Sequence, residues 1–303
     1  MLFFKKKKSI KFSEASKLYL DYCEVEREMS PASIYEYSKT LGWIVDIISD
    51  LNVEKINEEH ITELKKEYSR RELKPTTKAH NFSIIRNLLR YCNDELQLNV
   101  MDAERIKRPK IPKRRVEYLT EEELKNFFNS IGTKSIRDLR FRAFLSILIS
   151  TGCRIGESLH LKITDIDWET KEAMIVGKGN KQRKIYFNEW SLKCIQKYLD
   201  KRKDKNKFVL VSGKERHMWD RNDAQRSFRK YRRQAGLSET VTAHTIRHSF
   251  ATILLKKGIS FGHIQVLLGH SDIQTTSRYY FGILSDNEAK QAYEKGMDME
   301  NWL

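Results

Sequence analysis

One stretch, His244 to Tyr280, gathers the residue types that attack on a phosphodiester needs. His244 and Arg247 are three residues apart, so on a helix they share a face. An apolar-periodic run follows, then Leu268-Gly269-His270, and Tyr279 lies nine residues after His270. An arginine fork can hold a non-bridging phosphate oxygen. Imidazoles can place or accept protons, and a phenol can be the nucleophile. Taken singly, each residue also has an ordinary structural reading, and Tyr279 is one of 13 tyrosines. The ordered set carries the chemical argument.

These side chains need a scaffold, and the sequence reads as two helical parts. Residues 12–96 are predicted as four helices. Ser13 opens the first, with Ala15, Leu18 and Tyr19 inward. Ser30-Pro31, an N-cap followed by Pro at the first helical position, opens the second, with Ile34, Tyr37, Leu41 and Ile44 at helical spacing. The third begins near Asn57 and carries Ile61 and Leu64. The fourth follows Lys74-Pro75-Thr76, with Phe82, Ile85, Leu89 and Cys92 on one face. Lys78, Arg86 and Arg90 fall off that face and are candidate DNA contacts.

Residues 97–117 read as a basic linker. Its centre, Arg105–Arg115, holds seven basic residues in eleven (Arg105, Lys107, Arg108, Lys110, Lys113, Arg114, Arg115), with Pro109 and Pro112 blocking helix. Such a segment is a solvated spacer or, beside DNA, a phosphate-tracking strap. The second domain, residues 118–284, opens on the capping box Thr120-x-x-Glu123. A buried helix carries Phe141, Phe144, Leu145 and Leu148. In Thr151–Leu161, Gly152 allows a sharp turn and Arg154 starts a new helix with Glu157 one turn on. Beyond it, alternating residues around Gly177-Lys178-Gly179-Asn180 predict a β-hairpin with Lys178 at its turn. The spacing is not that of a nucleotide-binding loop.

The chain of 303 residues has a formal net charge of +16, from 57 Lys+Arg against 41 Asp+Glu. That balance favours a polyanionic partner, because neutralised phosphates release counterions. Cys23, Cys92, Cys153 and Cys194 lie far apart, which suggests neither zinc nor disulfides and fits a reducing cytosol. The longest apolar run, Ala143–Ser150, is much shorter than the ~18 residues of a membrane span. At the start, Lys5 to Lys8 follow apolar residues, the reverse of a secretory signal; residues 1–11 read as a basic tail.

His-x-x-Arg-His, then Leu-Gly-His, then a Tyr nine residues on resembles the tyrosine recombinases, the family of Xer, Cre and the phage integrases. The upstream landmarks match in order. Arg154, in Thr-Gly-Cys-Arg-Ile-Gly-Glu, resembles the family's first catalytic arginine, Glu157 its bracing acid, and Lys178 its hairpin lysine. All seven positions carry the expected type; residues 1–117 match in layout more than in motif. The resemblance implies a mainly α protein with an all-helical, SAM-like core-binding domain. A mixed α+β catalytic domain with a small antiparallel sheet, the DNA breaking-rejoining enzyme fold, would follow. It also implies a metal- and ATP-independent enzyme with no cofactor, since a phosphotyrosine linkage stores the cleaved bond.

The expected roles follow from charge. Arg154 and Arg247 clamp the equatorial oxygens of the transition state. His244 is the base for Tyr279, whose intrinsic pKa is near ~10. Lys178 protonates the leaving 5′ oxygen. His270 bonds the phosphate or places Tyr279, and Glu157 orients a cationic neighbour. Three neighbours are set aside: Tyr280, which adjoins the nucleophile; His248, read as structural; and Lys181, read as a phosphate contact. The implied partners are a double-stranded DNA site and a homo-tetramer with a dimer per site; a second recombinase or an activator stays open. The expected place is the cytoplasm, at the nucleoid, with no membrane contact. Residues 285–303 read as a C-terminal helix after Ser285-Asp286, with Met299 and Trp302 docking in a neighbouring protomer. Two rivals, a type IB topoisomerase and a non-catalytic regulator, are disfavoured by the short helical module and by the intact catalytic set.

Overall fold

In a computed structural model, residues 9–111, 117–177, 182–213 and 217–269 are described. The chain divides into two compact units, residues 1–113 and 114–303.

The first unit is built from α1 (Phe12–Val25), α2 (Pro31–Ile48), α3 (Glu58–Arg70) and α4 (Pro75–Asp94). Its helix starts are local chemistry. Ser30 Oγ accepts from the Ser33 N–H, with Pro31 at the first helical position. The Asn57 side chain accepts from the Glu59 and His60 N–H groups. Each cap satisfies donors that the helix itself leaves unpaired. Ser13 does not open α1, which starts at Phe12. Asp50 draws Ser13 away from a capping role by accepting from both its N–H (2.9 Å) and its hydroxyl (2.8 Å). Phe12, Tyr19, Leu41, Ile44, Leu64, Phe82 and Leu88 form the core. Leu18, Ile34 and Tyr37, expected inward, pack at its edge, partly buried.

The expected linker is not extended throughout. Leu98, Ala103 and Ile106 are buried in this same core. A 3-10 turn at Ala103–Arg105 is capped by Asp102, whose carboxylate accepts from the Glu104 N–H. Sparse apolar residues spaced among charges were enough to dock the segment, which the charge run hides at sequence level.

The second unit contains α5 (Glu121–Asn129), α6 (Ile136–Thr151), α7 (Ile155–His160), α8 (Glu189–Lys201), α9 (Arg221–Gln234), α10 (Ala243–Lys256) and α11 (Phe261–Leu268). Between α7 and α8 lies a three-stranded antiparallel sheet, β1 (Ile166–Asp167), β2 (Glu172–Val176) and β3 (Gln182–Tyr186), in that order. The Thr120–Glu123 capping box holds α5 as expected. α6 is the central element: Phe141, Phe144, Leu145, Ile147 and Leu148 are all buried in the main core. A helix apolar on nearly every side belongs inside a domain. Among the described residues no helix is long and apolar enough to cross a membrane.

Candidate active site

Two glycine turns bring distant segments together. α6 ends at Gly152 with φ of 60°, a left-handed conformation. A Cβ there would run into the Phe250 ring, so both backbone and space require glycine. The chain reverses and Arg154 becomes the cap of α7. Glu157 closes this cap: its carboxylate accepts from the Arg154 N–H (2.7 Å) and from Arg154 Nη1 (2.8 Å). α11 ends the same way at Gly269, φ 62°.

α10 supplies the next two groups. Thr242 caps it, accepting from the Thr245 N–H. His244 and Arg247 follow one turn apart, on one face as the spacing predicts. Arg247 is buried and donates to two carbonyls, Nη1 to Gly152 (2.7 Å) and Nη2 to Leu268 (2.6 Å). It thereby ties the turn that carries Arg154 to the end of α11. Burial, and then the nearby Arg154 charge, lower its pKa to about 10, so it stays cationic at neutral pH.

Arg154, His244 and Arg247 line one cavity of about 620 Å³. Arg221, Arg229 and Arg232 also line it, with Glu239 the one acid among the described lining residues. The charge of this lining suits an anion. Arg232 is a structural member: its Nη1 donates to the Val241 carbonyl (3.2 Å) and holds the segment before α10. Arg221 and Arg229 are exposed residues of α9. Sequence reading missed them, because α9 is basic on most of its surface and nothing in its pattern singles them out. Arg154 and Arg221 also border a second cavity of about 820 Å³, whose wall includes Val176 and Gln182. The end of β2 and the start of β3 therefore border the same cavity as Arg154.

The His244 ring keeps a solvent-facing edge while protein surrounds the rest. Its pKa is lowered, first by that burial and then by the Arg247 and Arg154 charges. It is therefore neutral, and able to accept a proton, to a lower pH than a free imidazole. His248, read from the sequence as structural, is not remote from the site. It stands one turn from His244 and its ring meets the His244 ring edge-on, centroids 4.6 Å apart. The Cys153 thiol, lining the same cavity, is pushed up to about 11 by burial and is a poor nucleophile.

Glu157 is buried and binds a second arginine that sequence reading also missed. Arg183 Nη2, from β3, donates to Glu157 Oε2 at 2.9 Å. Burial by itself would raise the Glu157 pKa, but the bonds from Arg183 and Arg154 outweigh it and leave it lowered. A signal did exist: Arg183 pairs across the sheet with Ile175, a buried position. An arginine at a core-facing strand position needs a buried partner.

The remaining candidates divide. Lys178, Lys181, His270 and Tyr279 lie outside the described residues, as do Lys113, Arg114, Arg115 and the expected C-terminal helix. In the first unit, Arg86 and Arg90 both pair with Glu104, and Arg105 with Glu58 (3.1 Å). Lys78 donates to Ser69 (3.1 Å) and Arg108 to Ser83 (3.5 Å), while Lys107 and Lys110 are exposed. The exposed pairs, Arg90 with Glu104 and Arg105 with Glu58, are worth ~0–1 kcal/mol each.

Residues 117–282 match the model of the phage integrase family, and residues 17–95 match the N-terminal SAM-like domain of phage integrases. The chain belongs to the phage integrase family. It is a tyrosine recombinase, an enzyme of site-specific DNA cleavage and rejoining. It is 28% identical over 267 residues to the tyrosine recombinase XerC of Proteus mirabilis, covering 86% of this chain and 87% of that one. It is 38% identical over 206 residues to XerA of Pyrococcus furiosus, covering 67% and 69%. Among solved structures, a lambda integrase dimer bound to a COC′ core site aligns with TM-score 0.70 at 20% identity, over 87% of this chain and 96% of that one. The Tn1549 transposon integrase with circular intermediate DNA gives 0.77 at 16%, over 94% and 99%. The resemblance read from the motifs and the mainly helical fold with one small antiparallel sheet are both borne out.

Proposed function

We propose that the enzyme cleaves a double-stranded DNA site through attack of Tyr279 on the scissile phosphate, leaving a 3′-phosphotyrosyl bond and a free 5′-hydroxyl. Arg154 and Arg247 hold the non-bridging oxygens and stabilise the charge that builds on them. His244 accepts the phenolic proton, Lys178 protonates the leaving oxygen, and His270 bonds the phosphate or places Tyr279. Glu157 orients Arg154. Religation to a partner strand passes through a Holliday junction in a tetramer with a dimer on each site. The work is integration, excision or dimer resolution, in the reducing compartment where the chromosome lies. The observation that carries this reading is the convergence of Arg154, His244 and Arg247 on one arginine-rich cavity. Lambda integrase structures with a dimer on a core site and a tetramer on a Holliday junction support the assembly by analogy.

The direct test traps covalent complexes on nicked suicide fragments of host DNA and sequences what is bound. Recovery of one recurrent site supports the reading. Absence of any protease-sensitive protein–DNA adduct sinks it.

Two further results are expected. Lys178→Ala should cleave an ordinary substrate about 10²–10⁴-fold more slowly, the usual worth of a general acid. A 5′-phosphorothiolate, whose sulfur leaves without needing a proton, should restore the rate; no restoration moves the acid role to Lys181. The pH profile bears on His244. Because its pKa is lowered, the single-turnover cleavage rate should hold as pH falls past the ordinary imidazole value of ~6.5 and drop only below it. His244→Gln should lose that acid limb along with most of the rate. An acid limb above the ordinary value would exclude His244 as the base.

A further inference from the structure

β3 carries an arginine that reaches past the sheet into the support of the cavity. Arg183 is nearly buried, its side chain 12% exposed, and it is not among the described residues that line the arginine-rich cavity. Its Nη2 is committed to Glu157, and its Nε leans on the Leu267 carbonyl at 3.4 Å. Gly269 leaves room for it: a Cβ there would sit 2.5 Å from Arg183 Cδ. One side chain therefore touches the α7 cap and the end of α11, two of the turns that frame Arg154 and Arg247.

The charges give this contact a purpose. The Glu157 side chain is 5% exposed and carries a negative charge between two arginines. With Arg183 present, one cation balances Glu157 and the other keeps an outward field. Without Arg183, Arg154 alone would have to neutralise a buried carboxylate, and such a carboxylate holds its last partner hard. Arg154 would be drawn back and its field toward the cavity cancelled. We infer that Arg183 is a positioning residue of the cleavage reaction, which shares Glu157 with Arg154 and so leaves Arg154 free to hold the phosphate. This rests on the reading of Arg154 as a phosphate clamp.

The test uses the full chain and the DNA site recovered by trapping. Single-turnover cleavage is measured at saturating protein, with DNA affinity measured separately, for R183M, E157Q and R183M/E157Q. R183M should bind DNA close to normally and cleave about 100-fold more slowly, the scale of a catalytic group displaced by about an ångström. Adding E157Q should recover at least about tenfold of that loss, because a neutral amide no longer competes for Arg154. R183Q should behave as R183M does and serves in its place if R183M does not fold. Cleavage by R183M at the wild-type rate overturns the inference. So does a loss that E157Q fails to relieve, which would mean that Arg183 acts by packing beside Gly269, and so does failure of both R183M and R183Q to fold. Absence of an adduct with the unaltered enzyme would instead remove the reading of the site itself.

Discussion

Tyr279→Phe is expected to abolish the covalent adduct with DNA and to leave DNA affinity nearly unchanged. The substitution deletes one oxygen and no positive charge, so the phosphate contacts that dominate affinity stay in place. On the proposed mechanism it deletes the attacking oxygen, and no water attack can leave protein on the DNA. Tyr280→Phe should retain the adduct. The measurement is a denaturing gel of labelled suicide substrate, with a mobility shift on the same samples. Adduct kept by Tyr279→Phe and lost by Tyr280→Phe would transfer the nucleophile to Tyr280. On the proposed mechanism the cavity would supply what a phenol needs in order to react. A tyrosine with a pKa near ~10 needs a neutral base and a cationic field. Burial first, and then the Arg247 and Arg154 charges, keep His244 neutral, and on the proposed mechanism those same charges would favour the phenolate.

Much of this was legible because it is local. Ser30-Pro31, Asn57 and Thr120-x-x-Glu123 each fix a helix start with atoms three residues apart or fewer, and all three act as read. His244 and Arg247 share a face by helical geometry alone. What failed to show depends on partners far away in sequence. Ser13 looks like a cap until Asp50 claims it. Leu98, Ala103 and Ile106 look like incidental residues in a charged spacer until a core is there to receive them. Arg183 is one cation among several in Lys181–Lys184 until the sheet register sets it opposite Ile175. The roles proposed for Arg154 and Arg247 were expected from motif resemblance and charge, but their different dependence on the fold was not. Arg154 meets solvent and leans on one carboxylate. Arg247 is sunk between two carbonyls.

That difference sets up the other large effect. Arg247→Met should both unfold the protein more easily and end cleavage, whereas Arg154→Met should end cleavage with a smaller change in stability. Arg247 Nη1 and Nη2 serve the Gly152 and Leu268 carbonyls, both on buried residues. Each acceptor left without a partner costs ~1–3 kcal/mol. Together that is a large part of the ~5–15 kcal/mol by which a domain is stable. For a unit of this size it should lower the melting temperature by roughly 5–20 °C. Arg154→Met removes a half-exposed guanidinium and leaves Glu157 still held by Arg183, so the melting temperature should move much less. Arg247→Lys decides between the two functions of Arg247. One ammonium cannot reach two carbonyls that a rigid fork spans, so it should restore part of the stability at most, and it cannot hold two phosphate oxygens in plane. Thermal melts of the three variants, and adduct assays run well below each melting point, read the two effects separately. If Arg247→Met melts with the unaltered enzyme, the two carbonyl bonds contribute nothing to the fold. If its folded form cleaves at the normal rate, Arg247 is a structural tie between Gly152 and Leu268, and the clamp must be sought in Arg154 with Arg221 or Arg229, the other exposed arginines of the cavity.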